Sequence, residues 1–148
     1  SAIKNLEIAM RIHRLQPEYN LAMGQCYMEM DKLDDAITYF GNVVRVRPKN
    51  INGWLELLKC LYKAEMLEDA LEYAGFAFEQ TDGKPIFLFY KSAVLYAMGK
   101  SKEALLNLEA GMNRNPKLVK KFIAINPSIL QVQQVVDIIA RYKKRNSL

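Results

Sequence analysis

Few residues in this chain have the chemistry for catalysis or metal binding. Two thiols, Cys26 and Cys60, stand 34 positions apart, and one imidazole, His13, lies close to Arg11 and Arg14. Carboxylates come as neighbours, Asp34 with Asp35 and Glu68 with Asp69. A thiol or hydroxyl beside an imidazole would make a nucleophile and its base, and paired carboxylates would serve acid–base work or hold a cation. The spacing opposes each reading. No nucleophile or carboxylate stands at a recognisable distance from His13, and adjacent helical residues point about 100° apart, so neither acidic pair converges. Lone Cys and His residues without clustered spacing make no zinc or haem site. The motifs GxGxxG, GxxxxGK[ST], HExxH and GxSxG do not occur. The sequence therefore reads as non-enzymatic, with no cofactor and no metal.

The elements that carry these residues are set by a period. Stepping by 34 places Ala2, Ala36, Ala70 and Ala104 in one column, followed by Ile3, Ile37, Leu71 and Leu105. Small residues recur seven positions later at Ala9, Val43, Ala77 and Gly111. Breakers or near-breakers follow at Arg14, Pro48, Asp82 and Pro116, and Tyr27, Leu61 and Leu95 share an upstream column with Cys26 and Cys60 just before two of them. A fixed period of this length marks a repeat architecture. Inside each unit, apolar side chains recur at three- and four-residue steps, as in Met23, Tyr27 and Met30. The acidic pairs open second helices, where carboxylates meet the positive end of the helix dipole. The expected helices are 2–14, 19–30, 34–46, 52–64, 68–80, 86–98 and 102–114. Gly24 facing Ala36 would permit a close crossing within a unit. Cys26 and Cys60 fill one small apolar column and sit too far apart for a disulfide.

The chain has 148 residues, 51% apolar and 25% charged, and a formal net charge of +5. The charge is uneven. After residue 113 there are eight Lys or Arg against the single acid Asp137, while the first 113 residues hold 13 basic and 15 acidic groups. No run of 18 apolar residues could cross a bilayer and no secretory signal opens the chain. Unpaired Cys with no signal favours a cytoplasmic location.

With these columns in place, the sequence resembles tetratricopeptide repeat proteins, whose pattern is W-x2-L-G-x2-Y, then A-x3-F, then P. Here it reads Asn20-x2-Met23-Gly24-x2-Tyr27 with Ala36-x3-Phe40 and Pro48. The next unit reads Trp54-x2-Leu57-Leu58-x2-Leu61 with Ala70-x3-Ala74, and the next Leu88-x2-Lys91-Ser92-x2-Leu95 with Ala104-x3-Leu108 and Pro116. Lys91 and Leu58 depart from the pattern. The resemblance implies an all-α fold, a right-handed superhelix of antiparallel helix pairs, in one domain over residues 1–148. Its parts would be a second helix of a truncated repeat at 2–14, full repeats at 17–50, 51–84 and 85–118, a degenerate half repeat at 119–126 and a C-terminal capping helix over 127–145. Asn126 would cap that last helix with Pro127 in its first turn, and Ile129, Val132, Val135, Val136, Ile139 and Tyr142 would face inward. The opening on a second helix suggests a piece of a longer solenoid, with Ile3, Leu6, Ala9 and Met10 partly bare.

The resemblance also implies a binding groove lined by first helices. Carried over, its residues are Leu21, Gln25 and Met28, then Leu55, Lys59, Tyr62 and Lys63, then Phe89, Tyr90 and Tyr96. Met28, Tyr62 and Tyr96 share one column. The function so implied is a scaffold that holds a peptide or helix of another protein, with Phe89 and Tyr96 packing under the last helix as the competing reading. The Lys/Asn/Arg set by which some relatives grip chaperone C-termini is missing, since the matching positions hold Leu21, Gln25, Glu56, Ile86 and Tyr90. Two other classes stand beside this one: self-association as a homo-oligomer, and nucleic-acid contact through Lys117, Lys120, Lys121 and Lys143-Lys144-Arg145. The nucleic-acid reading is the weaker, because the aromatic residues lie among Glu29 and Glu56 rather than along a positive track.

Overall fold

A computed structural model of the chain describes residues 16–146. The expected helix at 2–14, with His13, lies outside the described residues. Eight α-helices follow in order: α1 (Pro17–Glu29), α2 (Leu33–Val46), α3 (Ile51–Lys63), α4 (Leu67–Gln80), α5 (Ile86–Ala97), α6 (Ser101–Arg114), α7 (Val119–Ile125) and α8 (Gln133–Asn146). Short 3-10 turns at Pro116–Leu118 and Pro127–Gln131 flank α7. No strand occurs among the described residues. The chain divides into two compact units, residues 1–69 and 70–148, with the division falling inside α4.

The 34-residue period governs how helices end. Each first helix closes on a residue in the left-handed region, at Asp31 (φ 58°), Glu65 (φ 60°) and Gly99 (φ 79°). The next amide then reaches back five residues: Lys32 N donates to Tyr27 O at 2.9 Å, Met66 N to Leu61 O at 2.9 Å, and Lys100 N to Leu95 O at 2.9 Å. That bond satisfies a carbonyl the helix end would leave orphaned. Second helices end differently. Arg47 (φ −128°, ψ 78°) and Asn115 (φ −155°, ψ 88°) leave the helical region, which a following proline disfavours. The second helix without that proline, α4, ends instead through left-handed Asp82 and Gly83, with Gly83 N donating to Phe78 O at 2.7 Å.

In residues 1–69, α2 packs on both α1 and α3. The core joins Met23, Phe40, Val43, Trp54, Leu57, Leu58 and Leu61, each at most 5% exposed. Gly24 makes the close crossing, and its partner is Phe40 rather than Ala36: a Cβ on Gly24 would lie 2.5 Å from the Phe40 ring. Asn20, fully buried in the position where the repeat pattern places Trp, is satisfied by Asn42 Nδ2 at 3.1 Å and by its own donation to Gln16 O at 3.2 Å. Trp54 fills that position in the next repeat and donates from Nε1 to Pro48 O at 2.7 Å.

In residues 70–148, α5 packs on α6, α7 lies against α5, and α8 against α6. The buried cluster contains Phe89, Leu108, Met112, Phe122, Ile129, Val135, Ile138 and Tyr142. Ser92 Oγ donates to Ala104 O at 2.7 Å across the α5–α6 pair. The expected final helix is broken. Asn126 does cap, its Oδ1 accepting from Ser128 N at 3.1 Å, but it caps a 3-10 turn. Val132 is then extended (φ −86°, ψ 112°) before α8 begins. The break resets the helical phase, so Ile138 is buried where Val136 was expected, and Val136 is only half-buried.

Candidate functional site

The groove residues of α1 are Leu21, Gln25 and Met28, spaced four and three apart and so aligned on one helix face. Leu21 and Met28 are half-buried and Gln25 is exposed. Gln25 and Met28, with Glu29, border a cleft of about 490 Å³. On α3 the same spacing aligns Leu55, Lys59 and Tyr62, with Lys63 beside them; Leu55 and Tyr62 are half-buried and both lysines exposed. Lys59 Nζ lies 4.0 Å from Glu56 Oε1, one turn away. Lys63 Nζ lies 3.6 Å from Asp31 Oδ1 and so ties the end of α3 to the turn that closes α1. Both partners are largely exposed, so that pair orients the turn more than it stabilises the fold.

The residues of α5 are placed differently. Phe89 is fully buried. Its ring sits over Gly111, where a Cβ would come within 2.9 Å, and its centroid lies 5.8 Å from that of Phe122. A ring so enclosed reaches no ligand, and Phe89 is core. Tyr96 packs against the same cluster. Its hydroxyl is buried without a hydrogen-bond partner, and burial pushes its pKa up to about 12. Tyr90 stays half-buried. The competing reading of Phe89 and Tyr96 thus describes their surroundings, though the cover over Phe89 comes first from Phe122 of α7 and not from the last helix alone.

The chemically able groups stay apart. Cys26 and Cys60 are free thiols; Cys60 is fully buried, and desolvation, with Glu56 adding a smaller push, raises its pKa to about 11. A thiol held protonated is a poor nucleophile. Asp34, Asp35, Glu68 and Asp69 are exposed at the starts of α2 and α4. Among the described residues no group of three or more His, Cys, Asp or Glu could hold a metal ion, and no helix is long and apolar enough to cross a membrane.

The sequence matches no family model and no curated relative. Solved structures are informative. The crystal structure of MamA superposes with a TM-score of 0.72 over 99% of this chain and 87% of that one, at 15% identity. The TPR2B domain of yeast Sti1, solved as a complex with an Hsp70 peptide, gives 0.59 over 87% and 97%, at 14% identity. The translocator chaperone SycD of Yersinia enterocolitica type III secretion gives 0.57 over 89% and 95%, at 18% identity. All three are tetratricopeptide-repeat proteins. The fold is the tetratricopeptide-repeat fold. Helix pairs of this kind cannot bury their apolar faces singly and do so by stacking on neighbours, which accounts for a core built from repeated columns.

Proposed function

We propose that this chain is a non-catalytic protein-interaction module that holds an extended or helical segment of a partner protein against the first-helix faces of α1 and α3. The observation that carries this reading is the matched composition of the two faces. Each has half-buried apolar side chains, Leu21 and Met28 on one and Leu55 and Tyr62 on the other, beside exposed polar groups, Gln25, Lys59 and Lys63. Met and Tyr offer large contact area at small entropic cost. Gln25 and the lysines supply hydrogen bonds to a peptide backbone or to acidic side chains. The repeat fold, shared with an Sti1 domain solved on an Hsp70 peptide, supports the same class of function. Affinity is modest, since an extended segment is ordered on binding. The test is selection of binding peptides from a displayed random library. Selected peptides should bind Met28→Ala/Tyr62→Ala at least about tenfold more weakly; unchanged binding would place the interaction elsewhere.

A second reading, self-association, is favoured by one feature. Tyr73 and Phe76 on α4 are 37% and 44% exposed and form an edge-to-face pair with centroids 6.0 Å apart. SycD, one of the structural neighbours, is described as a dimer. Sedimentation equilibrium of the wild type and of Tyr73→Ser/Phe76→Ser separates the two: a dimer abolished by the pair supports this reading, and a monomer throughout removes it.

A further inference from the structure

Residues 70–148 contain a recess of their own. A cleft of about 720 Å³ opens where the C-terminal ends of α6 and α8 meet the 3-10 turn at Pro116–Leu118. Tyr142 holds these ends together by donating its hydroxyl hydrogen to Asn113 Oδ1. The turn is fixed by Asn115, whose side chain accepts from Lys117 N at 3.2 Å. The floor of the cleft is apolar, with Met112 and Val119 only 2% and 8% exposed, and Pro116 closes one edge. Around it stand Arg114, Lys117, Lys120 and Lys143, all exposed. No Asp or Glu lines the cleft among the described residues, and none of these four cations is in an ion pair there.

Local helix stability accounts for only half of this charge. Arg114 and Lys143 occupy final turns, where a cation suits the negative helix end. Lys117 lies in the 3-10 turn and Lys120 in the first turn of α7, where a cation is unfavourable. Four like charges around one recess repel one another, and an anionic occupant relieves that repulsion. The volume falls within the range of sites that hold small ligands or a few residues of peptide.

We infer that this cleft docks an acidic segment of a partner protein, an apolar side chain entering between Met112 and Val119 while Asp or Glu residues beside it meet the four cations. Nucleic acid fits less well. No aromatic ring lines the cleft for base stacking; Tyr142 beside it is 8% exposed with the Arg145 guanidinium 5.4 Å from its centroid, and the Phe78 ring lies under the Arg114 guanidinium, 5.8 Å away. A lipid surface would need apolar side chains standing proud of the backbone, and here they are recessed.

The site is independent of the α1 and α3 faces, so its test separates the two. The probe is a fluorescein-labelled nonapeptide of Asp and Glu with a central Leu, followed by anisotropy at low salt. Binding is expected, about tenfold weaker for Lys117→Glu/Lys120→Glu, weaker when Ser replaces the central Leu, and unchanged for Met28→Ala/Tyr62→Ala. Both lysines are exposed, so the reversal leaves the fold intact, which circular dichroism verifies. The inference is overturned by no binding, by equal binding of the Asn/Gln version of the peptide, or by indifference to the lysine reversal. Loss of binding in the Met28/Tyr62 variant overturns it too, by moving the peptide to the first-helix faces. Displacement of the peptide by oligo(dT), or by phosphatidylserine vesicles, at lower concentration than by unlabelled peptide reassigns the cleft to those ligands.

Discussion

A single missing side chain redirects the aromatic that the repeat pattern would have put in the groove. Phe89 shares its column with Leu21 and Leu55, and Gly111 shares its column with Val43 and Ala77. The third repeat thus exchanges a medium residue and a small one for a large residue and none, and the ring fills the space that a Cβ would take. Gly111→Val should therefore cost about 1–3 kcal/mol of stability by overpacking, and Phe89→Leu in the same chain should recover part of the loss; urea denaturation of the two variants measures both. The column of small residues was plain in the sequence, but its partner was not, because a period aligns positions without saying which side chain leans across. For Cys60 the consequence is pH-dependent. The folded thiol titrates near 11 and the unfolded one near 9, so both are protonated below pH 9. Between pH 9 and 11 only the unfolded state loses its proton. Stability should fall across that window, by about 3 kcal/mol at most, and the fall should vanish in Cys60→Ala. At neutral pH, DTNB should modify Cys60 only after unfolding.

At the scale of the helix, the ends were more legible than the faces. Six helices lie within two residues of the spans expected from the period, because the breakers Pro48, Asp82-Gly83 and Pro116 act locally. The left-handed turn at Asp31, Glu65 and Gly99 is a backbone requirement that the sequence advertises with glycine only once. Gly99→Ala should cost about 1 kcal/mol, since a Cβ is disfavoured at φ 79°. Glu65→Gly, at φ 60°, should be neutral to slightly stabilising in the same thermal melts, because relief of that conformation opposes the entropy of the freer unfolded chain. The last helix was read wrongly for a reason of phase. One continuous helix from 128 carries Ile129 to Val136 on a single face, whereas extended Val132 lets α8 restart and turn Ile138 inward.

For the molecule as a whole, Phe122 occupies the column of Asn20, Trp54 and Leu88, so α7 begins as a further first helix. It stops after seven residues at Asn126, extended ahead of Pro127. α8 then supplies Val135, Ile138 and Tyr142 to the cluster. Ending the chain after Ile125 should expose Leu108 and Met112, lower stability by several kcal/mol, and raise binding of an environment-sensitive dye such as ANS before melting begins. The fold was legible because repetition writes it several times over. The cationic cleft was not, because its residues come from three elements brought together only by tertiary packing. Tandem duplication has no built-in stopping point, since every copy offers its successor the same template. Here one dipeptide, Asn126-Pro127, interrupts the copying, so a further first helix is cut to seven residues by two letters rather than by its apolar column.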